Sequence, residues 1–228
     1  MSESEEQGLL QAIRQQPDDD AHRMVYADWL GENGDGDRAN FIRFQCWAEE
    51  ANATPANRDK WLADAAALLA RHRQEWEQPL RDLGATEVEF HRGFPCHITI
   101  PAAAFLDHAG EIFERAPIQS LRLTNLTASQ VPALASSAHL ANLTTLDLGY
   151  NYIGDADAAA LADSPHLAGL TALNLGYNRI GNAGAVALAN SPHLANLTAL
   201  DLAGNAGLPQ TMLDHVEQVL AIRRQQQK

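Results

Sequence analysis

Apolar and polar positions in the second half of the chain follow two alternating rhythms. At Leu146-Asp147-Leu148 the leucines lie two apart around an aspartate, which predicts a short strand with its leucines turned inward. At 155–163 the chain is alanine-rich with leucine at helical spacing, which predicts a helix behind that strand. Both rhythms return at 173–175 and 182–190, and the strand rhythm returns again at 200–202. The step is 27 residues, because His139–Asn151 recurs almost intact as His166–Asn178 and as His193–Asn205. One strand–helix unit cannot bury its own apolar face, so such units are expected to stack on a shared leucine core.

Each copy reads L-x-x-L-x-L-x-x-N. The residues are Leu143, Leu146, Leu148 and Asn151, then Leu170, Leu173, Leu175 and Asn178, then Leu197, Leu200, Leu202 and Asn205. This resembles the leucine-rich repeat. Ile153-Gly154 and Ile180-Gly181 after the asparagine, with Leu161-Ala162 and Leu188-Ala189 in the helices, resemble its ribonuclease-inhibitor-like subtype. The resemblance implies an α/β fold: a short right-handed solenoid with a parallel sheet backed by helices. Strands are expected near 98–100, 121–123, 146–148, 173–175 and 200–202. Asn151, Asn178 and Asn205 stand where the chain leaves the strand. A buried asparagine there is expected to bond backbone groups that the turn leaves unpaired, as a structural ladder. In the degraded repeat upstream, Leu126 takes the ladder position, so truncating the preceding Asn125 is expected to be nearly silent.

The outward strand positions give the candidate binding residues. On the concave face these are Arg122, Asp147, Tyr150, Asn174, Tyr177 and Asp201, with Tyr152 and Arg179 at the rim. Tyrosine and arginine are the residue types that dominate protein-binding hot spots. Duplication of the repeat would by itself also copy Tyr150 to Tyr177.

Upstream of the repeats, residues 5–51 read as three helices. The first, Glu5–Gln16, is closed by Pro17, and Asp18-Asp19-Asp20 offers caps for a second running to Leu30. The glycine- and aspartate-rich loop Gly31–Asp37 leads to a third, Arg38–Ala51. Asp28 and Arg38 are expected to pair across that loop. The runs Pro17–Asp20, Arg23–Leu30, Gly34-Asp35, Arg38–Arg43 and Gln45-Cys46 are similar to the repeat-companion domain. That is a short bacterial domain found ahead of leucine-rich repeats, with no established activity. Phe90-His91-Arg92-Gly93-Phe94-Pro95 is similar to the junction segment of such proteins.

The resulting division is a helical companion-like domain at 1–51, then a helix with irregular first strand and helix units capping the solenoid at 52–116. Leucine-rich repeats follow at 117–208. Met212, Leu213, Val216, Val219 and Leu220 make an apolar stripe within a C-terminal capping helix and tail at 209–228, whose Arg223–Lys228 is expected to fray.

Charge narrows the partners. The chain of 228 residues has a formal net charge of −13, and residues 1–50 alone hold 12 acids against 4 bases. With no basic stripe, nucleic acid is excluded as an expected partner. No stretch approaches the ~20 apolar residues of a membrane span, and the acidic first ten residues are unlike a secretory signal. Cys46 and Cys96 have neither metal nor disulfide spacing, which fits a reducing cytoplasm. Abundant alanine and a bias for arginine over lysine fit a GC-rich bacterial genome.

Candidate chemistry is sparse. Asn33-Gly34-Asp35-Gly36-Asp37 begins like a calcium loop, but Arg38 replaces the glycine needed at position six and Phe44 the acid at position twelve. His139, His166 and His193 recur in register as a column that turn packing explains better than a metal does. Adjacent Cys96 and His97 on a strand point to opposite faces. No catalytic residue, metal or cofactor is expected. The reading is a non-enzymatic scaffold that binds another protein on its concave face. Its alternatives are a regulatory or enzymatic N-terminal element targeted by the repeats, and a structural subunit of an assembly.

Overall fold

The computed structural model describes residues 3–226, which form two compact units. The first takes in the chain up to Asp82 with Val88–Cys96 and Glu114–Pro117, and the second comprises Leu83–Glu87, His97–Phe113 and the chain from Ile118 onward.

The first unit is built on α1 (Glu3–Gln15), α2 (Asp20–Glu32), α3 (Gly36–Glu49) and α4 (Pro55–Arg81). Each later helix starts on a side-chain cap. Asp19 accepts from the Ala21 N–H, Asp35 from the Arg38 N–H, and Thr54 from the Asn57 N–H ahead of Pro55. The Asp35 cap explains why α3 begins two residues before the predicted Arg38. Ile13, Tyr26, Ala27, Leu30, Ile42, Cys46 and Phe94 make one core, and Phe41, Ala65 and Leu68 another. Burial pushes the Cys46 thiol up to about 12, so it is an inert core group. Strand β1 (Glu87–His91) was not anticipated, since Glu87 and Glu89 alternate outward and resemble a solvated face. It turns at Arg92-Gly93 into β2 (Phe94–Pro101). Gly93 has φ 83°, and a Cβ there would lie 2.4 Å from an Ile42 carbon, so only glycine fits the turn.

The expected Asp28–Arg38 pair does not form. Asp28 instead binds Arg43, with Nη2 to Oδ1 at 2.7 Å. Arg38 is drawn among rings, its guanidinium 4.5 Å from the Trp76 centroid and 5.4 Å from that of Phe41. The aromatic partners compete successfully because α4 supplies Trp76, which no local spacing in the sequence announces.

In the second unit, α5 (Ala102–Arg115) follows β2. Then come β3 (Ser120–Thr124), α6 (Val131–Ala135), β4 (Thr145–Asp147), α7 (Asp155–Ala162), β5 (Ala172–Asn174), α8 (Asn182–Asn190), β6 (Ala199–Asp201) and α9 (Gln210–Gln226). Strands β2 to β6 pair in chain order and in parallel, which makes the fold α/β. Leu121, Leu146, Leu173 and Leu200 are successive register partners. The first three are buried, whereas Leu200 is half-buried on the edge strand. Ala158 and Leu161 of α7, and Ala185 and Leu188 of α8, are fully buried, and the small alanines let the two helices pack closely.

The tail departs from expectation. Arg223 and Arg224 are helical and anchored, not frayed: Arg223 Nη2 donates to the Ala189 carbonyl at 2.7 Å, and Arg224 Nε to the Thr198 carbonyl at 2.8 Å. The helix runs on to Gln226, and residues 227 and 228 of that expected tail lie outside the described residues.

Candidate functional site

The repeats are held by three hydrogen-bond series, each recurring at the sequence period: two at the turn that follows the strand and one ahead of it. In the first, the buried asparagines bridge neighbouring turns. Asn178 Oδ1 accepts from the N–H groups of Asn151 and Ile153 at 3.0 and 2.9 Å, while Nδ2 donates to the Leu148 and Leu175 carbonyls at 2.9 and 3.0 Å. Asn205 repeats this toward Ile180, Leu175 and Leu202, and Asn151 toward Leu126 and Leu123. Each amide thus satisfies backbone groups that would otherwise be buried without partners.

In the second series, Asp147, Asn174 and Asp201 each use Oδ1 to accept the N–H two residues on, at 2.8 Å in every copy. These Asx turns bend the chain out of the strand. Three residues expected to face a partner are therefore also occupied in shaping the turn. Arg122 lies 3.7 Å from Asp147 Oδ2, too far for a hydrogen bond, and both remain half-buried.

In the third series, hydroxyls link successive copies. Ser164 and Ser191 donate to the carbonyls of Ala135 and Ala162, and Thr171 and Thr198 to those of Thr144 and Thr171.

The residue after each Asx turn is left-handed: Tyr150 and Tyr177 have φ of 62° and 55°, and Gly204 73°. Asn125 holds the same conformation at 57° in the copy where Arg122 stands in place of the Asx residue. For tyrosine this conformation costs about 1 kcal/mol or more. The two rings lie parallel, centroids 4.5 Å apart and 6° between planes, and are 64% and 57% exposed. Stacking of this kind contributes about 0.5–1.5 kcal/mol and offsets part of the strain. Desolvation, then the Tyr177 hydroxyl, holds the Tyr150 phenol above its ordinary value. A Cβ on Gly204 would come within 2.6 Å of the Tyr177 ring, so that ring lies directly over the glycine. Tyr152, also left-handed at φ 60° and 72% exposed, carries the Arg179 guanidinium 4.7 Å above its ring.

The structure thus joins Tyr150 with Tyr177, Tyr152 with Arg179, and Arg122 with Asp147. The left-handed turns were missed in the sequence; the signal was the alignment of Asn125 and Gly204, two residue types that tolerate positive φ, with the two tyrosines. Of the histidine column, His139 stacks on Phe113 at 5.9 Å. Among the described residues, no group of three or more His, Cys, Asp or Glu side chains could hold a metal ion. No helix among them is long and apolar enough to cross a membrane.

Among curated proteins and among solved structures, nothing matches the chain. The family profile described as Leucine Rich repeat matches residues 139–162 and 168–189. That stretch contains the bridging Asn151 and Asn178, the Asx turns at Asp147 and Asn174, and the stacked tyrosines, whereas Asp201 and Asn205 lie beyond it. Residues 139–189 are thus built of leucine-rich repeats.

Proposed function

We propose that the chain is a non-enzymatic, cytoplasmic protein-binding scaffold. In this reading the repeats form a short right-handed solenoid of the ribonuclease-inhibitor-like kind, whose concave strand face meets the partner. Residues 1–51 are a repeat-companion domain, residues 52–116 cap the repeats, and residues 209–228 close them. Leucine-rich repeats are generally protein–protein interaction modules, which sets the starting point.

The observation that carries the reading is the exposed tyrosine stack. Duplication alone accounts for two tyrosines, but it does not relieve the backbone strain that each one holds. The flanking copies use Asn125 and Gly204, which suit the same turn at lower cost. Large rigid rings at a strained, solvent-facing position favour recognition over stability. Residues 117–208 carry few charges, so contact area and directional groups supply recognition there in place of long-range attraction.

The test replaces both tyrosines with asparagine, the residue that already occupies the turn at 125. Tyr150→Asn with Tyr177→Asn leaves the urea midpoint nearly unchanged and removes the partner recovered by pull-down and mass spectrometry. Retention of that partner at full affinity would eliminate the tyrosine face as its docking surface.

A further inference from the structure

The first unit holds an open cavity of about 310 Å³ walled by Tyr26, Leu30, Trp76, Leu80 and Phe94, with Arg38 and Arg115 as cations in its wall. This volume holds on the order of ten waters and falls at the lower end of small-molecule sites. Rings surround the guanidinium: besides Trp76 and Phe41, the centroids of Phe90 and Phe94 lie 5.5 and 5.7 Å away. Its Nη1 is fully enclosed with no hydrogen-bond partner, while other parts of the side chain remain open to the cavity. No carboxylate among the described residues forms an ion pair with Arg38.

The acids that also line the cavity are already engaged. Glu6 Oε1 accepts from the Tyr26 hydroxyl at 3.0 Å, Asp35 Oδ1 accepts from the Arg38 N–H at 3.0 Å, and Glu75 Oε2 lies 3.2 Å from His72 Nδ1. Burial lowers the Arg38 pKa to about 10, so the group is still a cation at neutral pH. The guanidinium packs on rings, the Asp35 and Glu75 carboxylates act on it only through space, and its Nη1 lacks a hydrogen-bond acceptor.

We propose that this cavity binds a compact monocarboxylate with an aromatic or branched aliphatic body, its carboxylate meeting the Arg38 guanidinium. Arginine's planar fork suits a carboxylate, and the aromatic and leucine walls suit the body. Glu6, Asp35 and Glu75 against Arg38 and Arg115 leave the wall slightly negative, which disfavours a dianion such as phosphate more than a monoanion. The volume limits the body to about one ring or a short branched chain. This site uses no residue of the strand face and does not depend on the scaffold reading.

The experiment is calorimetric titration of the full chain with benzoate, phenylacetate and 4-methylpentanoate, against benzamide and inorganic phosphate. The Trp76 indole signal in NMR spectra reports the place of binding. At least one carboxylate is expected to bind saturably, about tenfold or more tighter than the neutral amide. Arg38→Met weakens it by about tenfold or more, while Arg43→Met, whose guanidinium is paired with Asp28, leaves it unchanged. Should Arg38→Met fail to fold, Leu10→Trp, at a half-buried position in the cavity wall, fills the space and abolishes binding instead. Failure of all three carboxylates to bind, equal binding of acid and amide, or tighter binding of phosphate overturns the proposal.

Discussion

At the scale of single residues, the turn after each strand makes the sharpest demands. Asn125, Tyr150, Tyr177 and Gly204 share one left-handed conformation, so the side chains they tolerate are set by backbone and neighbour together. Asn125 was expected to be replaceable because Leu126 holds the ladder position; its φ of 57° changes that. Asn125→Ala should cost about 1 kcal/mol in a urea melt, and Asn125→Gly should not, while equal behaviour of the two would count against the turn assignment. Asn178→Ala should cost about 1–3 kcal/mol, because its amide serves buried backbone groups on both sides. The ladder asparagines were visible in the sequence because their role depends on spacing alone. The strain at Tyr150 was not, because a tyrosine gives no local sign of positive φ.

At the scale of elements, the strand–helix repeats were readable from their period, and every predicted strand lies within one residue of an observed one at its core. Leu173 on β5 is almost fully buried between register partners, and Leu173→Ala is expected to lose about 2–5 kcal/mol. A loss below about 1 kcal/mol would mean that the leucine row is not a packed core. What the sequence hid were contacts between distant elements: Arg38 with Trp76, and the N-terminus of α3 with α4. In the latter, Asp37 Oδ2 lies 2.8 Å from His72 Nε2 and 2.9 Å from Arg71 Nη1. Hydrogen bonds to Asp37, then to Glu75, raise the His72 pKa above its ordinary value, while His72 and then Arg71 lower that of Asp37. Because the histidine's folded pKa is raised, its stabilisation is complete below its unfolded value and fades as pH rises through the folded one. The aspartate's is complete above its unfolded value and fades as pH falls through its depressed folded one. The α3–α4 contact is therefore firmest in mildly acidic solution, between the two unfolded values. An NMR titration of His72 should show its midpoint falling in Asp37→Asn; an unmoved midpoint would rule out this pairing in solution.

At the scale of the whole molecule, the repeating part behaves as a linear array in which each unit is stabilised by its neighbours. The side-chain donors advance by 27 residues, from Ser164 and Ser191 on one track and from Thr171 and Thr198 on the other. The next acceptors on the two tracks are the carbonyls of Ala189 and Thr198, and these are the groups that Arg223 and Arg224 of α9 bind. Two adjacent arginines on one helix thus stand in for the two hydroxyls of a further copy. Arg223→Ala should cost more than Arg224→Ala, since Ala189 is buried and Thr198 only half-buried. In polymer terms, α9 is a chain terminator: it matches the growing end of the array without offering a new end of its own. The number of copies is then a free variable, uncoupled from how the array is closed. Duplicating residues 164–190 directly after Asn190 should give a longer protein that still melts cooperatively, with a steeper urea dependence from its larger buried surface. Loss of a cooperative melt in that insertion, with the parent chain intact, would show that α9 recognises something particular to the last copy rather than the repeat itself.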